Sequence, residues 1–381
     1  MLPALGDALR SFAISPRVEL LNHGSYGACP RVVLDAEWAE RLALEADPVA
    51  FMDAVPGRLR AILEAIAPRF GADPDGLVFV ESATMGVATV LRGLALRPGD
   101  RVVTTDHVYG AVMQQLRHAE RSLGVVVDVA HVPFPLDAPE QVVAAVTPRL
   151  PGARLAVLDA VTSATGLVWP FAALTAACRR AGVPVLVDGA HAPGLVPVDL
   201  RALDADWFVG NLHKWCFAPK GTAILWAAPR QRDLTVPLVV SHDRELGWPR
   251  AFGWIGSRDV SGWLATPAAF AFVDALGEEA IRAHNDALCA RMAAALADRW
   301  GVVVPSPGSM RAAMATLPLP GDPPAEAATP IGLALRAHGL EVPVVPFRGR
   351  AWLRISAQVY NREESYTRLG DAVADLLSAP S

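Results

Sequence analysis

Between residues 77 and 226, short runs of aliphatic and β-branched residues alternate with segments of helical period, and few architectures accommodate that alternation. Strands are predicted at 77–80, 101–104, 125–127, 155–158, 183–187, 206–209 and 222–226, with helices opening near Thr84, Gly110, Pro139 and Pro170. The two prolines suit a first helical turn, where no backbone N–H is needed. Strands that are apolar throughout need cover on both faces, so the pattern predicts an α/β domain with a large, mostly parallel sheet between crossover helices. After about residue 240 the rhythm changes. Helices over 261–276 and 278–299 precede a Pro/Gly-rich passage, 305–324, expected to be loops; a helix over 325–338, a strand over 351–356 and a helix over 362–377 follow. The expected division is a large domain over 21–240 and a small α+β domain built from 1–20 and 241–381.

Composition narrows the classes of function. Of 381 residues 52% are hydrophobic and 19% charged, far from a chain that stays disordered. A net charge of −5 without runs of like charge gives a nucleic-acid groove no support. The longest uncharged stretch, 160–178, approaches the length of a bilayer span but is broken by Thr162, Ser163, Thr165, Gly166 and Pro170, so no membrane role is expected. The first 17 residues lack the basic start and apolar core of a secretion signal. Cys29, Cys178, Cys216 and Cys289 lie far apart with no CxxC pair, which argues against a zinc knuckle or disulfide framework and for a reducing cytoplasm. A small-molecule protein is expected.

The most informative segment is Val185-Leu-Val-Asp188-Gly-Ala-His191, followed by Asn211-Leu-His213-Lys214-Trp215. Asp188 falls at the carboxyl end of an apolar strand, where open α/β sheets place ligands, and Lys214 follows a second strand. A lysine amine to capture an aldehyde, together with a carboxylate to keep a pyridine nitrogen protonated, is what pyridoxal 5'-phosphate (PLP) demands. A metal held by Asp188, His191 and His213 is the competing reading.

The chain resembles fold-type I PLP enzymes of the class V aminotransferase group, in particular the isopenicillin N epimerase-like branch. The segments that carry the resemblance are Leu21-Asn-His-Gly-Ser-Tyr-Gly27, Ser82-Ala-Thr-Met-Gly86, Thr105-Asp-His-Val-Tyr109, Val161-Thr-Ser-Ala-Thr-Gly166, Asp188-Gly-Ala-His-Ala-Pro-Gly194, His213-Lys-Trp215, Gly256-Ser-Arg-Asp259 and Leu353-Arg-Ile-Ser-Ala-Gln-Val-Tyr360. The resemblance implies that Lys214 anchors the cofactor and Asp188 pairs with its ring nitrogen. Ala83 and Thr84 would lie in the phosphate cup, at a helix start that suits an anion. His107 would stack on the ring, with Tyr109 as its substitute, while Ser163 and His191 would meet the cofactor and Asn211 and His213 would flank its phosphate. Arg354 matches the arginine that binds the substrate carboxylate, Asn22, His23 and Tyr26 belong to the substrate side, and Ser257 would reach the phosphate of a partner subunit, making a homodimer. Relatives usually carry histidine where this chain has Ala160.

The reaction stays open between epimerisation, C–S β-elimination and transamination. No cysteine follows Cys289, so the mobile-cysteine route of cysteine desulfurases is not expected. Epimerisation needs an acid opposite Lys214, with His23, Tyr26 and Tyr109 as candidates. The expected substrate is an amino acid with a large side chain directed at 22–27, where two glycines would admit it, and epimerisation or elimination is placed ahead of transamination.

Overall fold

The computed structural model describes residue 5 and residues 8–378; part of the N-terminal stretch read above lies outside them. In chain order the strands are β1 (Glu19–Leu20), β2 (Leu77–Val80), β3 (Arg101–Thr105), β4 (Val126–Ala130), β5 (Leu155–Asp159), β6 (Val185–Asp188), β7 (Trp207–Asn211), β8 (Ala223–Ala227), β9 (Met314–Pro318), β10 (Leu340–Glu341), β11 (Val344–Phe347) and β12 (Arg350–Ser356). Seven of them form one sheet in the order β2-β8-β7-β6-β5-β3-β4. Only β8 runs against its neighbours. Residues 212–222 join β7 to β8 without a helix, and so short a link returns antiparallel. That return loop carries Lys214.

Alternation along the strands builds two cores. Ala156 and Leu158 of β5 and Val185 and Val187 of β6 enter one, whereas Leu155, Val157 and Leu186 enter the other. Helix Pro48–Ile66, which the strand rhythm does not announce, covers the first face with Val55, Leu59, Ile62 and Ile66.

The second, smaller sheet has the order β11-β12-β9 and its own apolar core under helices Glu278–Trp300, Ala328–Ala337 and Glu363–Ser378. The passage 305–324 is not all loop, because it contains β9. Its Pro318 is accepted there since β9 is an edge strand, where a missing N–H breaks no ladder. The helix expected over 261–276 is two, Ser261–Leu264 and Thr266–Leu276, because Pro267 has no N–H to bond the preceding turn. Val260, Trp263, Leu264, Ala269 and Phe270 join the large core, so this part of 241–381 does not pack with the small unit as expected. Conversely β1 pairs with β10, which ties the N-terminal segment to the small unit. Among the described residues no helix is long and apolar enough to cross a membrane.

Candidate active site

The carboxyl ends of β5, β6 and β7, the start of helix Ala83–Gly93 and the Lys214 loop converge on a cavity of about 160 Å³. Ser82 caps the helix by accepting the Met85 N–H at 3.2 Å, and the Ala83 N–H donates to Asn211 Oδ1 at 2.8 Å. Asn211 therefore clamps the helix start to the end of β7. Opposite, Asp188 accepts the Ala190 N–H at 3.0 Å. His213 donates from Nδ1 to the Thr222 carbonyl at 3.1 Å, leaving a lone pair on Nε2, and burial lowers its pKa to about 4. Thr84, Tyr109 and Ser163 also line the cavity, with Tyr26 at its exposed edge.

Lys214 and Lys220 are the chain's only lysines. Burial, helped by the Arg354 charge, lowers the Lys214 pKa from 10.5 to about 7, so its amine is largely neutral just above neutrality. Its Nζ lies 3.3 Å from His191 Nε2, and the Trp215 indole N–H points at His191 Nδ1 from 3.5 Å. With Nδ1 accepting, the proton of the neutral His191 sits on Nε2 and faces the amine. Burial holds His191 well below the usual imidazole range.

Arg354 is buried behind the cavity wall. Its Nη1 donates to the Ser163 carbonyl, and its Nη2 to Ser25 Oγ at 3.2 Å and Asn22 Oδ1 at 3.3 Å. Its Nε has no partner, and among the described residues no carboxylate pairs with it. A buried guanidinium without a counter-ion is costly, and burial lowers its pKa to about 10.

Several expected residues sit elsewhere. His107 is buried away from the cavity: Nε2 donates to the Val132 carbonyl at 3.2 Å, Nδ1 accepts from Thr165 at 3.0 Å, and its ring packs on Phe134, Trp169 and Phe347. The turn after β3 directs it into the core and presents Tyr109 to the cavity instead. His23 is also buried, bonding Tyr360 at 2.9 Å and donating to the Lys214 carbonyl at 3.0 Å. Burial takes its pKa to about 3, so it fixes the lysine loop and is no acid opposite Lys214. Ser257 lies on the far side of helix Ala83–Gly93, beside Glu81, Met85 and Thr89.

The two glycines of 22–27 do not make room for a substrate. A Cβ on Gly27, whose φ is +69°, would fall 2.1 Å from the His213 carbonyl oxygen, and one on Gly24 would fall 2.7 Å from Met314 Sδ. They let the N-terminal segment press on the lysine loop. Ser25 and Asp159 join the site as well, and Asp159 has a sequence signal: an apolar strand ends in aspartate in β5, after four apolar residues, as in β6, after three. All four cysteines are buried and none lines the cavity. Among the described residues Asp188, His191 and His213 form no group that could hold a metal ion.

An aspartate and a near-neutral lysine at the switch of an open α/β sheet, beside a capped helix start, define a fold-type I PLP-dependent enzyme. The orphaned buried oxygen of Asp159, the capped helix start at the cavity edge and the Lys214 amine, its pKa lowered to about 7, all fit that cofactor. Residues 54–369 match the model of the aminotransferase class-V family, and the chain belongs to it. It is 34% identical to L-cysteine desulfhydrase of Arabidopsis thaliana, over 94% of this chain and 88% of that protein. It is 33% identical to isopenicillin N epimerase of Streptomyces clavuligerus, over 96% of this chain and 97% of that one. Its fold matches a cysteine desulfurase from Thermococcus onnurineus NA1 with a TM-score of 0.80 at 17% identity, covering 99% and 98% of the chains. The cystine C–S lyase C-DES in complex with cysteine persulfide gives 0.78 at 22%, covering 93% and 97%.

Proposed function

We propose that this chain removes the Cα proton of an amino acid and expels a sulfur group from Cβ, a C–S β-elimination. The observation that carries this reading is Lys214, a buried amine near neutrality in the cavity, because elimination asks for one base and a leaving group. Inversion at Cα is the second reading, supported by Tyr109 and Tyr26 at the cavity wall and by the likeness to isopenicillin N epimerase. It needs an acid on the opposite face, and the imidazole of His23 is committed elsewhere.

PLP, when bound, supplies an aldehyde that captures amines and a ring that draws electrons from Cα. Asp188 would hold the ring nitrogen, and the Tyr109 ring would cover the face that the resemblance assigned to His107. Ser163 and His191 would bound the cofactor's other edge, and the Thr84 N–H and the Asn211 side-chain amide, beside His213, would border its phosphate, with the Ala83 N–H held by Asn211 Oδ1. Arg354, its fork held by Asn22 and Ser25, would take the α-carboxylate. Lys214 then takes the Cα proton; the C–H pair becomes the Cα–Cβ double bond as Cβ–S breaks, and water releases ammonia and a 2-oxo acid. We read the active unit as a cytoplasmic homodimer. Among the described residues Lys214 is the only Lys or Arg lining the cavity, which leaves the phosphate end short of cations, and exposed Ser257 is free to serve a neighbour. Four unpaired cysteines accord with a reducing compartment.

Cysteine and S-substituted cysteines, incubated with the PLP-loaded protein, should yield thiol and 2-oxo acid in equal amounts without an added amino acceptor. Inversion without thiol release would favour the second reading, and 2-oxo acid that depends on an acceptor would mean transamination.

A further inference from the structure

The last residues of β5 and β6, Asp159 and Asp188, are register partners on adjacent parallel strands, and both line the cavity. They are 2% and 3% exposed. Neither has an ion pair among the described residues, and Asp159 Oδ2 has no hydrogen-bond partner at all. Two buried carboxyls this close do not both ionise cheaply, because each charge opposes the other and neither is solvated. The cavity therefore holds a proton that the cofactor site, as read above, leaves unassigned.

We propose that Asp159 is a positioning residue: it carries the single proton of this carboxyl pair and leaves Asp188 as the ionised member that would face the cofactor's ring nitrogen. The surroundings separate the two. From its own turn Asp188 accepts the Ala190 N–H, and it feels the Lys214 charge from the return loop, and both favour its anion. Asp159 faces Asp188 on β6; its own backbone and that of Tyr109 after β3 favour its anion too, but no cation is among the groups that act on it, and burial and the Asp188 charge outweigh those bonds. Of the basic side chains that line the cavity, His191 and Lys214 face each other at 3.3 Å, and His213 bonds the Thr222 carbonyl. Burial and the Asp188 charge hold Asp159 well above the usual carboxylate range. A neutral acid here spares the ring nitrogen a second negative charge and would leave Asp188 alone to set its protonation.

The inference rests on the PLP reading for its purpose but not for its test, which begins with cofactor-free protein. At neutral pH the wild type should show an infrared band of a protonated carboxyl group that disappears in Asp159→Asn and persists in Asp188→Asn. The amide of Asp159→Asn imitates a neutral acid, so its denaturation midpoint should match wild type near pH 4, the ordinary aspartate range. Above that pH the wild type should fall behind the variant, since a group whose folded pKa is raised loses its stabilisation as pH rises. Loaded with PLP, Asp159→Asn should keep the wild-type pH dependence of visible absorbance, whereas Asp188→Asn should shift it. A band absent from wild type, or one removed by Asp188→Asn and kept in Asp159→Asn, overturns the assignment. Should Asp159→Asn fail to fold, the persistence or loss of the band in Asp188→Asn decides alone. Failure of the wild type to take up PLP would instead overturn the cofactor reading, and that is seen on a separate sample.

Discussion

Lys214 owes its chemistry to where its chain is buried rather than to a neighbouring base. A lysine with its ordinary pKa is almost wholly protonated at pH 7 and cannot attack an aldehyde; lowered to about 7, half of it can. Covalent capture of PLP by the cofactor-free protein should therefore accelerate up to about pH 7–8 and then level, measured by stopped-flow absorbance. A rate still climbing towards pH 10 would mean an ordinary lysine. The same shift carries a stability consequence. Between about 7 and 10.5 the unfolded chain binds this proton more tightly than the folded one, so the cofactor-free protein gains stability as pH rises through that window. Lys214→Met should remove the gain in urea titrations. That Asp188 and Lys214 share one cavity was legible in the sequence, because a charged group at or just after the end of an apolar strand is chemically conspicuous. His107 and His23 were not, since an imidazole that bonds a carbonyl in the core looks, in sequence, like one that faces a ligand.

At the scale of elements, the site depends on the short return from β7 to β8 and on the segment that presses against it. Gly27 meets the His213 carbonyl where any Cβ would clash, at a φ that L residues adopt only with strain. Gly27→Ala should cost ~2 kcal/mol or more in chemical denaturation. It should also weaken PLP retention, because the displaced loop is the one that bears Lys214. An unchanged midpoint would show that the segment packs more loosely than described. The alternation of strands and helices was readable along the large sheet because fully buried strands are apolar throughout. β9 was hidden by the prolines on either side of it, which mark turns in most settings but are also tolerated on a sheet edge. Why the Gly24 and Gly27 positions are glycine depends on chain segments nearly two hundred and three hundred residues away, and no local pattern reports that.

For the whole molecule, the large sheet bears Asp188 and the Lys214 loop and the small unit brings Arg354 from β12 to Ser163, so on the proposed function the two must stay packed for a carboxylate site to exist. Arg354→Lys should raise KM for amino-acid substrates by about tenfold or more, since an ammonium does not reproduce the guanidinium fork, while PLP content stays normal. Sedimentation at assay concentration should find a dimer; a fully active monomer would remove Ser257 from the phosphate. With only two lysines in the chain, one experiment addresses the centre of the account. Borohydride reduction of the PLP-loaded protein, followed by peptide mapping, should place the added mass on Lys214 alone and abolish turnover, and Lys214→Ala should take up no label and lose activity roughly a thousandfold or more. Label on Lys220, or turnover surviving in Lys214→Ala, would contradict it.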